Sequence, residues 1–213
     1  MKLTKAQTAA TEKWTRNPSD EFAVTNGCWF DEQAADRVIA FFCNFLCLSK
    51  GRWDGVPFKP LPWQDEDILR PLFGWKRPDG SRRFRTAYVE VPKKNGKSPL
   101  AAGIATYLGV GDGEPGAEIY LAATARDQAG IVFRDCLNMV KRSPHLVKRT
   151  RINESTKNIA FPKCSSFIRA IASEADTAEG FNAHAVLADE LHAWRDRRFW
   201  DALKYAGASR EQP

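Results

Sequence analysis

Apolar residues recur at three- and four-residue steps in three stretches, and each stretch predicts a helix with a buried face. From Asp31 to Leu48 the repeat runs through Ala34, Ala35, Val38, Ile39, Phe42, Phe45 and Leu46. It covers so much of the circumference that this helix must pack against another element. Leu100, Ile104 and Leu108 stand four apart after a lysine-rich loop. Further on, Ala129, Val132, Phe133, Cys136, Leu137 and Val140 share a face opposite Arg126, Arg134, Asn138, Lys141 and Arg142. Thr124 and Asp127, just before that repeat, have the spacing of a helix start. Trp63-Gln64 opens a shorter helix through Leu69 that should end at Pro71.

Compact apolar runs alternate with these helices. Tyr88 to Val91, Ala117 to Ala123, Asn158 to Phe161, Ser166 to Ala172 and Ala185 to Ala188 read as strands. Strands alternating with helices predict an α/β fold around a mainly parallel sheet flanked by helices. Residues 1 to about 20 lack a steady period and predict a frayed or lightly attached start. Gly51 to Pro62 is a Pro/Gly/aromatic connector, so a helical N-terminal appendage over 1–55 precedes a main domain over 56–213.

The candidate chemistry sits at two breaks in this pattern. Tyr88 to Val91 stops at Pro92, and Lys93-Lys94-Asn95-Gly96-Lys97-Ser98 leads into the Leu100 helix. Strand, loop with Gly-Lys-Ser, helix is the layout of a phosphate-binding loop. Gly96 lets the backbone approach a phosphate, Lys97 would lie along the β- and γ-phosphates of ATP, and Ser98 would ligate Mg²⁺. Val91 stands where the strict motif has its first Gly, and Pro99 removes one N–H from the first turn. About ninety residues downstream, the strand ending at Ala188 is followed by Asp189 and Glu190. An Asp there holds Mg²⁺ in P-loop NTPases, and a following Glu can polarise the attacking water. Gln64 can donate and accept together, which matches the adenine edge. His192 follows in Asp-Glu-Leu-His and reads as orienting or structural, because the three histidines lack zinc spacing.

Composition narrows the class without choosing within it. The chain has 213 residues, 43% hydrophobic and 27% charged, as expected of a globular protein with a sizeable core. No apolar run approaches bilayer length and no signal-peptide pattern opens the sequence. Five cysteines without a C-x-x-C pair predict packing roles and a reducing, cytosolic setting. A net charge of +6 permits nucleic-acid contact without demanding it.

Several runs in order carry a family resemblance: Leu61 to Gln64, Leu72 to Trp75, Arg82 to Arg85, Val91 to Ser98, Ala122 to Ala129 and Ala188 to His192. Together they resemble the large terminase subunit of tailed bacteriophages, in its HK97-like branch, over roughly residues 55 to 213. The resemblance implies a P-loop NTPase of the additional-strand class, an ATP- and Mg²⁺-dependent motor that drives viral DNA into the procapsid. It implies double-stranded DNA, the portal protein and the small terminase subunit as partners, a homo-oligomeric ring, and the host cytoplasm as location. By position, Gln64 resembles the adenine-reading glutamine, and Lys94, Asn95, Gly96, Lys97 and Ser98 the variant Walker A cradle. Asp189 resembles the metal-holding Asp and Glu190 the catalytic Glu of the Walker B pair. Lys93 stands where the family often has an Arg, keeping the charge without the planar fork. Arg126 and Arg134 are candidates for an arginine acting on a neighbouring subunit.

The family continues past the equivalent of Pro213 into a coupling strand and a nuclease domain. The sequence given stops there, so the expectation is an ATPase portion without nuclease activity of its own. A helicase-like DNA-stimulated ATPase and a non-catalytic prophage remnant are the alternative readings.

Overall fold

The computed structural model describes residues 3–123, 126–172, 180–210 and 212; Thr124, half of the expected helix-start signal, lies outside them. The chain forms two compact units. One is built from residues 3–43 and 59–90 with Gln212, the other from residues 44–58 and the described residues between 91 and 210.

The first unit corrects the expectation of a frayed start. Helix α1 (Lys5–Trp14) opens with a reciprocal cap: Gln7 N–H donates to Thr4 Oγ1 at 3.2 Å, and Thr4 N–H to Gln7 Oε1 at 2.9 Å. It buries Ala10, Thr11 and Trp14, and the Trp14 ring stacks on Phe30 with centroids 4.6 Å apart. Helix α2 (Pro18–Thr25) starts from an Asn17 cap with Pro18 at its first position. Strand β1 (Trp29–Phe30) leads into α3 (Glu32–Phe45), which buries Ala34, Ala35, Val38, Phe41 and Phe42 as its period requires.

A π-helical turn, Gln64–Leu69, runs directly into α4 (Arg70–Gly74), so Pro71 does not end the helix. It sits in the first turn of α4, where a missing N–H costs least. Strand β2 (Trp75–Lys76) then pairs antiparallel with β1. Gly74 is required here because a Cβ would lie 2.4 Å from Phe30 Cζ. Arg83 closes the unit: it donates to the nearly buried Asp20 at 2.6 Å and lies over the Trp75 ring.

The second unit holds α5 (Lys97–Val110), β3 (Glu118–Ala123), α6 (Arg126–Arg142), α7 (Pro144–Val147), β4 (Arg151–Asn153), β5 (Asn158–Phe161), β6 (Ser166–Ala172), β7 (Ala183–Ala188) and α8 (Arg198–Tyr205). Its sheet has the order β4-β5-β6-β3-β7. Strands β6, β3 and β7 run parallel, whereas β4, β5 and β6 are antiparallel neighbours. The sheet is therefore mixed, because the turns joining β4, β5 and β6 are too short for a parallel crossover. The small residues Ala102, Ala105 and Gly109 let α5 pack closely; a Cβ on Gly109 would meet Phe161 at 3.1 Å. Phe199 and Leu203 of α8 cover Ala122 of β3, with Ile171, Val186 and Trp194 around them.

One expected strand does not form. Tyr88 to Val91 pairs with no described strand, and the Tyr88 side chain is exposed. The segment crosses from one unit to the other. β-propensity reflects packing on a half-buried sheet, and an extended run without a ladder gains none of it.

If α1 belongs to the core, truncating its anchor must be costly. Trp14→Ala is expected to destabilise the first unit by about 3–5 kcal/mol, measured by urea unfolding followed by tryptophan fluorescence and circular dichroism. A change within 0.5 kcal/mol, the ordinary surface range, would return α1 to a loosely attached segment.

Candidate functional site

Two left-handed residues shape the loop before α5. Lys94 and Gly96 both have positive φ, +71° and +79°, and Gly96 caps the helix without any side-chain cap bond. The helix N-terminus is thus left open to an external anion. Leu100 N–H donates to Gly96 O at 3.0 Å, and Asn95 Nδ2 donates to Pro92 O at 3.2 Å, which closes the loop on itself. Lys93, Lys94 and Asn95 are exposed, and the Ser98 hydroxyl has no hydrogen-bond partner among the described residues.

The acidic half lies where β7 leaves the sheet. Asp189 N–H donates to Ala122 O at 2.9 Å, extending the β3–β7 ladder by one residue. The Asp189 carbonyl accepts from Trp194 Nε1 at 3.1 Å, and the Trp194 ring packs on Phe199 with centroids 5.1 Å apart. Glu190 then turns sharply, with φ +51° and ψ +47°, and its N–H donates to Asp189 Oδ1 at 3.0 Å. A non-glycine residue in the left-handed region stores strain and is worth a functional hypothesis. Trp194 escapes motif reading because it sits beyond the acidic pair. The signal available in sequence is an indole N–H four residues after Glu190, which needs a partner once packed.

The two halves meet at Lys97. Its Nζ lies 2.7 Å from Glu190 Oε1 and 3.3 Å from Asp189 Oδ1. Its hydrogen bond to Glu190 raises the Lys97 pKa above the ordinary value, with the Asp189 charge adding to the shift against partial desolvation. The same hydrogen bond holds the Glu190 carboxyl below the ordinary carboxylate range. His192 Nδ1 lies 3.4 Å from Glu190 Oε2, with its ring largely exposed. Gln64 belongs to the first unit, where it is buried and accepts from Leu61 N–H at 3.0 Å. Arg134 is exposed, and its Nε donates to Gly130 O at 3.3 Å; the Arg126 side chain lies outside what is described.

These residues fit a magnesium nucleotide. Ser98 and Asp189 offer hard oxygen donors, and Mg²⁺ uses one or two protein ligands together with substrate phosphates. No cluster of three or more His, Cys, Asp or Glu suited to a metal occurs among the described residues. Cys136 is fully buried and poorly suited to act as a nucleophile, since burial pushes its thiol up to about 12.

The sign of the pH dependence follows from the two shifts. The stabilisation carried by Glu190 is complete above its ordinary value of 4.5 and is lost as pH falls through its depressed value. That carried by Lys97 is complete below 10.5 and is lost as pH rises through its raised value. In a carbon-detected NMR titration, Lys97→Met should move the Glu190 midpoint upward towards 4.5. An unmoved midpoint contradicts the pairing.

Among the described residues no helix is long and apolar enough to cross a membrane. A family model described as the ATPase domain of the terminase large subunit matches residues 62–213. The terminase large subunit of Enterobacteria phage HK97 is 30% identical over 181 residues, which cover 84% of this chain and 35% of that protein. The crystal structure of the HK97 bacteriophage large terminase superposes with a TM-score of 0.71 at 28% identity, over 84% of this chain and 36% of that one. The chain thus spans about a third of the length of the relatives it matches. With residues 62–213 matched and 30% identity across most of its length, the chain belongs to the family of terminase large-subunit ATPase domains.

Proposed function

We propose that the chain is the ATP-hydrolysing part of a packaging motor that drives viral double-stranded DNA into a procapsid. What carries the reading is the convergence on Lys97 of Asp189 and Glu190, residues more than ninety positions away in sequence. Lys97 Nζ lies against Glu190 Oε1. A triphosphate at the α5 N-terminus competes for the Lys97 ammonium and draws it to the β- and γ-phosphates. Glu190 then loses the contact that depresses its pKa and becomes a better acceptor for a proton from the attacking water. Trp194 and the β3 ladder keep Asp189 fixed while this happens.

Ser98 and Asp189 would hold Mg²⁺, which when bound offsets phosphate charge. The backbone around Lys94, Asn95 and Gly96 would cradle the phosphates, and Lys93 would add charge at the γ-phosphate. The proposal extends to the portal protein and small terminase subunit as partners, a ring on the portal, and work in the host cytoplasm. Membership of the family supports the ATPase part most directly.

Phosphate release from Mg·ATP tests it. Lys97→Ala and Glu190→Gln should each lower turnover by about 10²–10⁴-fold, while Glu190→Gln still binds a fluorescent ATP analogue. Wild-type turnover in either variant, or no Mg²⁺-dependent binding by the unaltered chain, contradicts the proposal.

A further inference from the structure

Positive charge is dense in two segments. Residues 76–97, with eight Lys or Arg and two acids, include the nucleotide loop; residues 141–157, with six Lys or Arg and one acid, lie outside it. Residues 141–157 begin in the last turn of α6, a 17-residue helix about 25 Å long at 1.5 Å per residue.

Part of this charge has a structural use. Cations are favoured at a helix C-terminus, and there Lys141 pairs with Glu154 and Arg142 with Asp54. Lys148, Arg149 and Arg151 are different. All three are exposed, and none makes an ion pair with a described residue.

Their backbone is nonetheless fixed. Val147 N–H donates to Ser143 O at 3.0 Å and Arg149 N–H to Leu146 O at 2.9 Å. Leu146 is buried beneath the turn, and Arg151 opens β4 opposite Ala160. The Arg142–Asp54 pair brings the neighbouring turn alongside, where Trp53 is half exposed with the Arg52 guanidinium over its ring. The result is a rigid cationic corner with an aromatic at its edge. Three like charges along about 10 Å of chain repel one another, and an anion bound across them would offset that repulsion.

We infer that this corner binds the phosphate backbone of duplex DNA. The inference rests on the reading of the chain as part of a DNA-packaging ATPase and names the surface that meets the substrate. A duplex carries one negative charge per about 1.7 Å of its axis, so 10 Å presents about six to these cations. Contacts made to phosphates carry no sequence information, which suits a protein acting along a whole genome.

The test is fluorescence anisotropy of a short labelled duplex of arbitrary sequence, titrated with the 213-residue chain at several salt concentrations. The triple variant Lys148→Ala, Arg149→Ala, Arg151→Ala should reduce the slope of log K against log salt by about two to three. A charge-matched control, Arg195→Ala, Arg197→Ala, Arg198→Ala, should leave the slope within about one of the unaltered chain. Both variants should keep their circular dichroism spectrum and bind the fluorescent ATP analogue as before.

Equal loss in both triple variants, or an unchanged slope in the first, overturns the surface while leaving the packaging reading intact. Competition by poly-glutamate as strong as by unlabelled duplex also overturns it, in favour of an acidic protein partner. No duplex binding by the unaltered chain at low salt overturns both the surface and its DNA-packaging premise. Loss of ATP-analogue binding in the unaltered chain, with the slope change intact, removes the ATPase reading alone.

Discussion

One ammonium group held between two carboxylates organises the second unit. Lys97 comes from the first turn of α5, Asp189 and Glu190 from the end of β7, and the packing of α5 on the sheet together with the β3–β7 register brings those elements together. The Gly96 turn sets where α5 begins, and the Asp189 N–H bond to Ala122 sets where β7 ends. Lys97 and Glu190 are each more than a third exposed, so water screens the pair. A pair of that kind is worth on the order of 0–1 kcal/mol. It is weak enough for a polyanion to displace, yet it keeps a lysine and a strained glutamate in register until that happens.

The parts of this arrangement that were legible in sequence are those governed by local rules. The α3 and α6 repeats, the apolar run of β3 and the acidic pair after β7 each announce themselves within a few residues. Gly-Lys-Ser is equally local, since the αL turn at Gly96 is a property of glycine itself. The parts that were not legible depend on contacts distant in sequence. Helix α1 looks aperiodic because only three of its residues are buried, and its anchor is the stack of Trp14 on Phe30. The Thr4–Gln7 cap was the readable signal for it. Tyr88 to Val91 has strand composition but no ladder, and composition cannot supply a partner. Trp194 was invisible because its role is a hydrogen bond to a main-chain carbonyl, which carries no residue signature.

The second unit separates two kinds of electrostatics along α6. At the strand ends beside Asp189, one lysine is balanced by two acids at close range, a setting for chemistry in which small displacements change protonation. At the C-terminal end of α6 the net charge is positive and Lys148, Arg149 and Arg151 are held outward, a setting for long-range attraction that salt weakens. Helix α6, which runs between them, buries Val132, Phe133, Cys136 and Leu137.

The most direct measurement is a crystal structure with Mg²⁺ and a non-hydrolysable ATP analogue. The account predicts that Lys97 leaves Glu190 for the β- and γ-phosphate oxygens, with Mg²⁺ between Ser98 and Asp189. A nucleotide bound elsewhere, with Lys97 still 2.7 Å from Glu190, would contradict it.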